Sequence, residues 1–342
     1  MYLESLSSAV PGHSFTQLEC LGIIESTKAF HDLGGRQRSI VKNILSGDSG
    51  ISKRHFAFED PSVLFDMDAT SLIRAFEKEA PKLSTSALQK ALEKARMLPE
   101  DLDALFVCTC TGYLCPGLTS HISEKLGMRS NAYLSDVVGL GCGAAIPTIR
   151  SAQGFLAANP DAKVATIAVE ICSAAFYIDE DIGVLISLSL FGDAAAAAIW
   201  SNQPSQSKYK ANNFQTLHWP EEREKIRFIN QGGKLKNQLH RSVPKVAAKA
   251  VKELFSKRTQ SPGKVITHSG GRDVLDQISN ILPEFDLSAS REALQEYGNC
   301  SSPSVLLALE KQLLSPKPDD NLWLASFGAG FSAHSMELVQ SQ

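Results

Sequence analysis

The sequence predicts an α/β protein in which sheets and helices stack in layers. Two observations carry this. Short apolar runs of strand character recur along the chain, and segments with helical spacing of apolar residues lie between them. Several of the runs also stop at turns rich in glycine or serine, as strands feeding loops do.

In chain order, residues 86–95 mix charges with spaced apolar positions and read as helix. Residues 105–109 read as a strand that breaks at Thr111-Gly112, and residues 164–170 as a second strand. The longest apolar stretch, 182–200, is interrupted by Asp193. A membrane-spanning helix needs about 20 mostly apolar residues, so this stretch reads as buried core. Residues 243–255 repeat apolar positions at spacings of three and four, the pattern of an amphipathic helix. Residues 264–268 form a third strand, and residues 322–326 a fourth. After the turn at Gly328 and Gly330, residues 333–339 return as its hairpin partner. The polar, proline-containing segment 201–212 reads as a linker between two halves, 1–200 and 201–342. Each half has strands that end in candidate site residues.

A chain of 342 residues, 43% hydrophobic and 21% charged, is long enough for two domains or one duplicated core. Its net charge of −3 argues against nucleic acid as a partner. The first residues lack a basic start followed by an apolar block, so no secretory leader is expected. Seven cysteines in such a chain are expected to be reduced thiols in the cytoplasm.

Three segments carry chemistry. Cys142 sits among glycines in Gly-Leu-Gly-Cys-Gly-Ala-Ala, between a strand or turn and a helix-forming stretch. A helix N-terminus stabilises a thiolate, and small neighbours let a substrate reach the sulfur. His268 closes the strand 264–268, at the kind of strand end where α/β proteins place reactive groups. Asn299 follows Gly298 and precedes Cys300-Ser301-Ser302. Taken singly, each residue suits a packing or turn role. Together, at spacings of 126 and 31 residues, a thiol, an imidazole and an amide suit Claisen condensation of thioesters. The thiol carries an acyl group, and the other two stabilise an enolate oxygen.

At these residues the chain resembles the thiolase-fold condensing enzymes, and within them the chalcone synthase-like type III polyketide synthases. The likeness runs from about residue 52 to 339. Thr267-His268-Ser-Gly-Gly looks like the family's histidine segment and Tyr297-Gly-Asn299-Cys-Ser301-Ser its asparagine segment. Leu190-Phe191-Gly-Asp193 looks like the stretch bearing a gating phenylalanine, and Ser326-Phe327-Gly328-Ala329-Gly330 like the terminal glycine loop. Segments around Cys110, Thr111 and Cys115, and around Cys172 and Ala175, look like cavity-lining stretches.

The resemblance implies a five-layer αβαβα thiolase-like fold of two similar halves, acting as a homodimer. Cys142 would take an acyl-CoA starter. His268 and Asn299 would bind malonyl-CoA through decarboxylation, and His268 would help hold the thiolate. Phe191 would shield the cavity, with no metal, nucleotide or flavin required. Lys53 and Arg54 would contact the CoA phosphates. Asn237 stands where the family has its second gating phenylalanine. Cys110 and Ala175 are small, which points to room for an aliphatic chain. Asp193 reads as a structural residue that holds its turn through backbone N–H groups. The spacing of Cys108, Cys110 and Cys115 does not fit a structural zinc site, so these thiols are read as core or cavity lining. The runner-up is a ketoacyl synthase III-like enzyme making one condensation on a carrier protein. It uses the same three residue types, but its histidine context is usually His-Gln-Ala-Asn.

Overall fold

The computed structural model describes residues 1–204, 208–316, 319 and 321–340. Its main sheet has nine strands in the order β11-β12-β13-β8-β1-β7-β6-β4-β5. The first half of the chain contributes β1 (Tyr2–Ala9), β4 (Ala104–Cys108), β5 (Tyr133–Val137), β6 (Lys163–Glu170) and β7 (Ala194–Ser201). The second contributes β8 (Tyr209–His218), β11 (Lys264–Thr267), β12 (Asn321–Gly328) and β13 (Ser332–Gln340). A single residue pair, Tyr2 with Lys210, joins the two groups through β1 and β8. Two small antiparallel pairs lie apart from it: β2 (His13–Thr16) with β3 (Lys53–Phe56), and β9 (Ile226–Gln231) with β10 (Lys234–Leu239).

Side-chain alternation builds the layers. On β7, Ala194, Ala196, Ala198 and Trp200 face one core, and Ala195, Ala197 and Ile199 face another. The first core also holds Leu322, Leu324, Met336 and Leu338 from β12 and β13. Between these two sheet faces lie the helices Ala145–Ala158 and Ser304–Leu313. The second core packs the opposite face of the first half against the helices Ala69–Ala95 and Leu118–Leu126. A third packs Val265, Trp323, Ala325 and Phe327 against the helices Val243–Ser256 and Arg272–Ile281. The result is helix, sheet, helix, sheet, helix.

The apolar stretch 182–200 resolves into a buried helix, Ile182–Leu190, and the central strand β7, hinged at Phe191-Gly192-Asp193. Among the described residues no helix is long and apolar enough to cross a membrane. The helix read at 86–95 is the end of a longer one that begins at Ala69. The linker expected at 201–212 is bounded by sheet on both sides. Ser201 ends β7, and residues 209–212 are strand because they pair with β13; residues 205–207 lie outside the described residues.

Candidate active site

The parallel strands of both halves deliver their C-terminal ends to one region, where open α/β sheets place ligands. His268 follows β11, Cys110 and Thr111 follow β4, Glu170 ends β6, and Cys142 comes just after β5. A cavity of about 430 Å³ is lined by Cys142, His268 and Asn299 together, with Phe191, Phe228, Asn237 and Phe327 on its walls.

Cys142 occupies a single helical turn, Gly141–Gly143, that leads into the helix Ala145–Ala158. Gly328 at the end of β12 lies against this turn. A Cβ there would come within 2.4 Å of Gly143 N and 2.9 Å of Cys142 N, so only glycine allows this approach. The Cys142 sulfur opens to the cavity but lies deep, and burial pushes the thiol up to about 12. Ser301 Oγ donates to Cys142 Sγ at 3.3 Å and opposes that shift, whereas the buried Glu170 adds to it. Ser301 itself has a positive φ of 56°, a strained conformation that aims its hydroxyl at the sulfur.

Burial also drives His268 down to about 3. Burial thus disfavours the charged form of both groups, thiolate and imidazolium alike. The His268 ring packs edge-on against Phe327, and its Nδ1 has no hydrogen-bond partner among the described residues. Gly270 leaves the other edge open, since a Cβ there would stand 3.2 Å from Nε2.

The Asn299 amide is fixed at both ends. Its Oδ1 accepts from Ser301 N at 2.8 Å and its Nδ2 donates to Gly270 O at 3.1 Å. One Nδ2 proton remains for a ligand. The Phe191 turn is bound to this segment by backbone pairing: Gly192 N donates to Asn299 O at 3.0 Å, and Asn299 N to Leu190 O at 2.9 Å. Asp193, as read, holds the turn by accepting from Ala57 N and Ser173 N, both at 2.8 Å.

A second cavity, about 770 Å³, is lined by Cys110, Thr111 and Ala175, and a small third one, about 30 Å³, by Cys172, Ala175, Ser301 and Phe191. One site expectation is corrected. Arg54 is not a CoA contact: it is 1% exposed and its guanidinium is spent on Gln17, Leu188 and Phe191. Lys53 lies on β3 beside Glu296, outside the walls of these three cavities. Cys115 is exposed and likewise off those walls. Asn237 lies on the wall of the first and third cavities, where its side chain donates to Ser187 Oγ at 2.6 Å.

The aromatic missing from position 237 sits across the hairpin. Phe228 on β9 is the cross-strand partner of Asn237 and, among the described residues, the only one that lines all three cavities. Strand alternation alone did not reveal it, because the pairing register was not readable. Glu170 was also missed as a site residue. Its fully buried carboxylate accepts from Thr109, Thr111 and Ser302 side chains and from Cys110 N and Thr111 N. The arginines that line the first cavity are Arg227, paired with Glu224, Arg272, paired with Asp48, and Arg241.

A family model described as FAE1/type III polyketide synthase-like protein matches residues 12–261. The chain belongs to the type III polyketide synthases. A model of the 3-oxoacyl-[acyl-carrier-protein] synthase III C-terminal region matches residues 258–339 of this synthase. The chain is 30% identical to 3,5-dihydroxyphenylacetyl-CoA synthase of Amycolatopsis balhimycina, over 98% of this chain and 91% of that protein. It is 28% identical to 1,3,6,8-tetrahydroxynaphthalene synthase of Streptomyces coelicolor, over 96% and 89%. The crystal structure of a tetrahydroxynaphthalene synthase from that organism superimposes with a TM-score of 0.89 and 26% identity, covering both chains completely. The thiolase-like fold and the polyketide synthase activity read from the sequence therefore stand.

Proposed function

We propose that this synthase loads an acyl group from a CoA thioester onto Cys142 and extends it with malonyl-CoA by decarboxylative Claisen condensation. The observation that carries the reading is the convergence of Cys142, His268 and Asn299 on one cavity. In loading, the neutral His268 takes the thiol proton as sulfur attacks the thioester carbonyl. It returns that proton to the departing CoA sulfur. In extension, the imidazole N–H and the spare Asn299 Nδ2 proton bind the malonyl thioester oxygen. Loss of CO2 leaves an enolate on that oxygen, and both donors gain strength as its charge develops. The enolate carbon attacks the acyl group and expels the Cys142 thiolate. The product is a β-ketoacyl thioester of CoA that can reload.

Arg227, Arg241 and Arg272 on the wall of that cavity suit the CoA phosphates. Phe228, between the three cavities, sets how far a starter or growing chain reaches. A homodimer formed along β5 is supported by the exposed apolar residues of that sheet edge, Tyr133 and Leu134, and by the neighbouring Val138.

The test is mass spectrometry of products from purified protein with malonyl-CoA and a panel of acyl-CoAs, beside Cys142→Ala. Pyrones or resorcinols that vanish in Cys142→Ala support the reading. The match of residues 258–339 to the synthase III model favours a second one. A single β-ketoacyl product, or dependence on a carrier protein, would select it.

A further inference from the structure

Arg54 is among the most deeply buried large side chains of the protein, yet its hydrogen bonds among the described residues go to neutral oxygens. Nη1 donates to Leu188 O at 2.7 Å and to Phe191 O at 2.9 Å. These carbonyls belong to the C-terminal end of the helix Ile182–Leu190, where oxygens lack helical partners and the helix dipole favours a cation. Nε donates to Gln17 Oε1 at 2.8 Å, and the same Gln17 amide donates to Ser189 O at 3.1 Å. The aliphatic stem lies against the other side of the site. A Cβ on Gly298 would stand 2.9 Å from Arg54 Cγ and 3.1 Å from Cδ. Gly298 has a φ of 71° and precedes Asn299.

One side chain thus touches Phe191 and, through Gly298, the residue before its bridge partner Asn299. Burying a charge is costly, and an apolar residue of similar volume is often as stable. Retaining arginine at this point gives the turn a fixed hydrogen-bond geometry that an apolar side chain lacks.

We propose that Arg54 is a positioning residue: by holding the Phe191 turn against the Asn299 segment, it sets the Asn299 amide for the malonyl thioester oxygen. This rests on the role given to Asn299 above. Cys142 itself is held on another element, by the Gly328 contact, and meets the Asn299 segment through the Ser301 hydroxyl, so its reactivity depends on Arg54 less than the Asn299 amide does.

The experiment compares Arg54→Met, Arg54→Lys and Gln17→Leu with the parent enzyme. It measures malonyl-CoA decarboxylation, the carboxymethylation rate of Cys142 and the fold by circular dichroism. Displacing a catalytic group by a fraction of an ångström to 1 Å costs about 10- to 100-fold in kcat, the fall expected for Arg54→Met. KM and Cys142 alkylation are expected to stay within about threefold, and Arg54→Lys to recover part of the loss. A folded Arg54→Met that decarboxylates at the parental rate overturns the proposal. So does a parallel loss of decarboxylation and alkylation, which marks general disruption. Should Arg54→Met not fold, Gln17→Leu decides by the same criteria, with a smaller fall of about 3- to 10-fold expected. A parent enzyme that does not decarboxylate malonyl-CoA, or an Asn299→Ala variant that does so undiminished, refutes instead the functional reading beneath.

Discussion

Ser301→Ala tests how the nucleophile is tuned. The Ser301 hydroxyl stands 3.3 Å from Cys142 Sγ, 3.3 Å from Cys110 Sγ and 3.4 Å from Glu170 Oε1. It is the side-chain donor that favours the Cys142 thiolate, set against burial and the Glu170 carboxylate. A hydrogen bond to a charged group contributes about 1.5–3 kcal/mol. Removing it lowers the thiolate population at fixed pH roughly 10- to 100-fold, since each 1.36 kcal/mol is a factor of ten. A more basic thiolate is also more nucleophilic, which returns about half of that logarithm. The expected net effect is a slowing of about 3- to 10-fold. The assay is carbamidomethylation by iodoacetamide, followed at the Cys142 peptide by mass spectrometry so that Cys110 is counted apart. An unchanged or faster rate in Ser301→Ala would refute the reasoning.

Three further outcomes are expected. Phe228→Ala joins the 430 Å³ and 770 Å³ cavities, so product profiling should show longer acyl-CoA starters accepted, with kcat/KM for them rising about tenfold. In Phe228→Ala/Asn237→Phe, restoring an aromatic on the facing strand should reverse most of that gain. His268 binds its proton at about pH 3 when folded but near 6.5 when unfolded. Between those values the unfolded chain holds more protons, so stability is lost as pH falls below about 6.5, by about 1.4 kcal/mol per unit. Denaturant titrations of His268→Gln across that range should show a shallower acid slope, by one proton. The buried His334, down to about 4, contributes with the same sign and remains in the variant. Leu134→Glu on the β5 edge should shift the protein from dimer to monomer in sedimentation velocity, with little change in its far-ultraviolet spectrum.

Elements with strong local signals were legible in the sequence. The strands ending at Cys108, Glu170 and Thr267, the β12–β13 hairpin and the helix Val243–Ser256 all announce themselves through uninterrupted apolar runs or helical spacing. Cys142, His268 and Asn299 were readable because glycine and serine contexts mark each segment. What stayed hidden depends on pairing across distance. Residues 209–212 are polar, yet become strand because β13 lies beside them. Arg54 looks like part of a solvated basic run until the helix end at Leu188 and Phe191 closes over it. Phe228 matters through its position opposite Asn237, a register that neither strand specifies alone.

Part of the wall around Cys142 comes from residues far downstream: His268, Asn299, Ser301, Phe327 and Gly328. A nascent chain that has emerged only through the first sheet half lacks those downstream walls, so one side of the thiol stays open to water. Until the second half docks, the sulfur is more open to oxidation than it will be in the finished enzyme. Completion of the fold thus shields the nucleophile from oxidants in the same step that assembles its partners. Oxidative damage to this synthase should therefore fall mainly on chains whose synthesis or refolding has stalled.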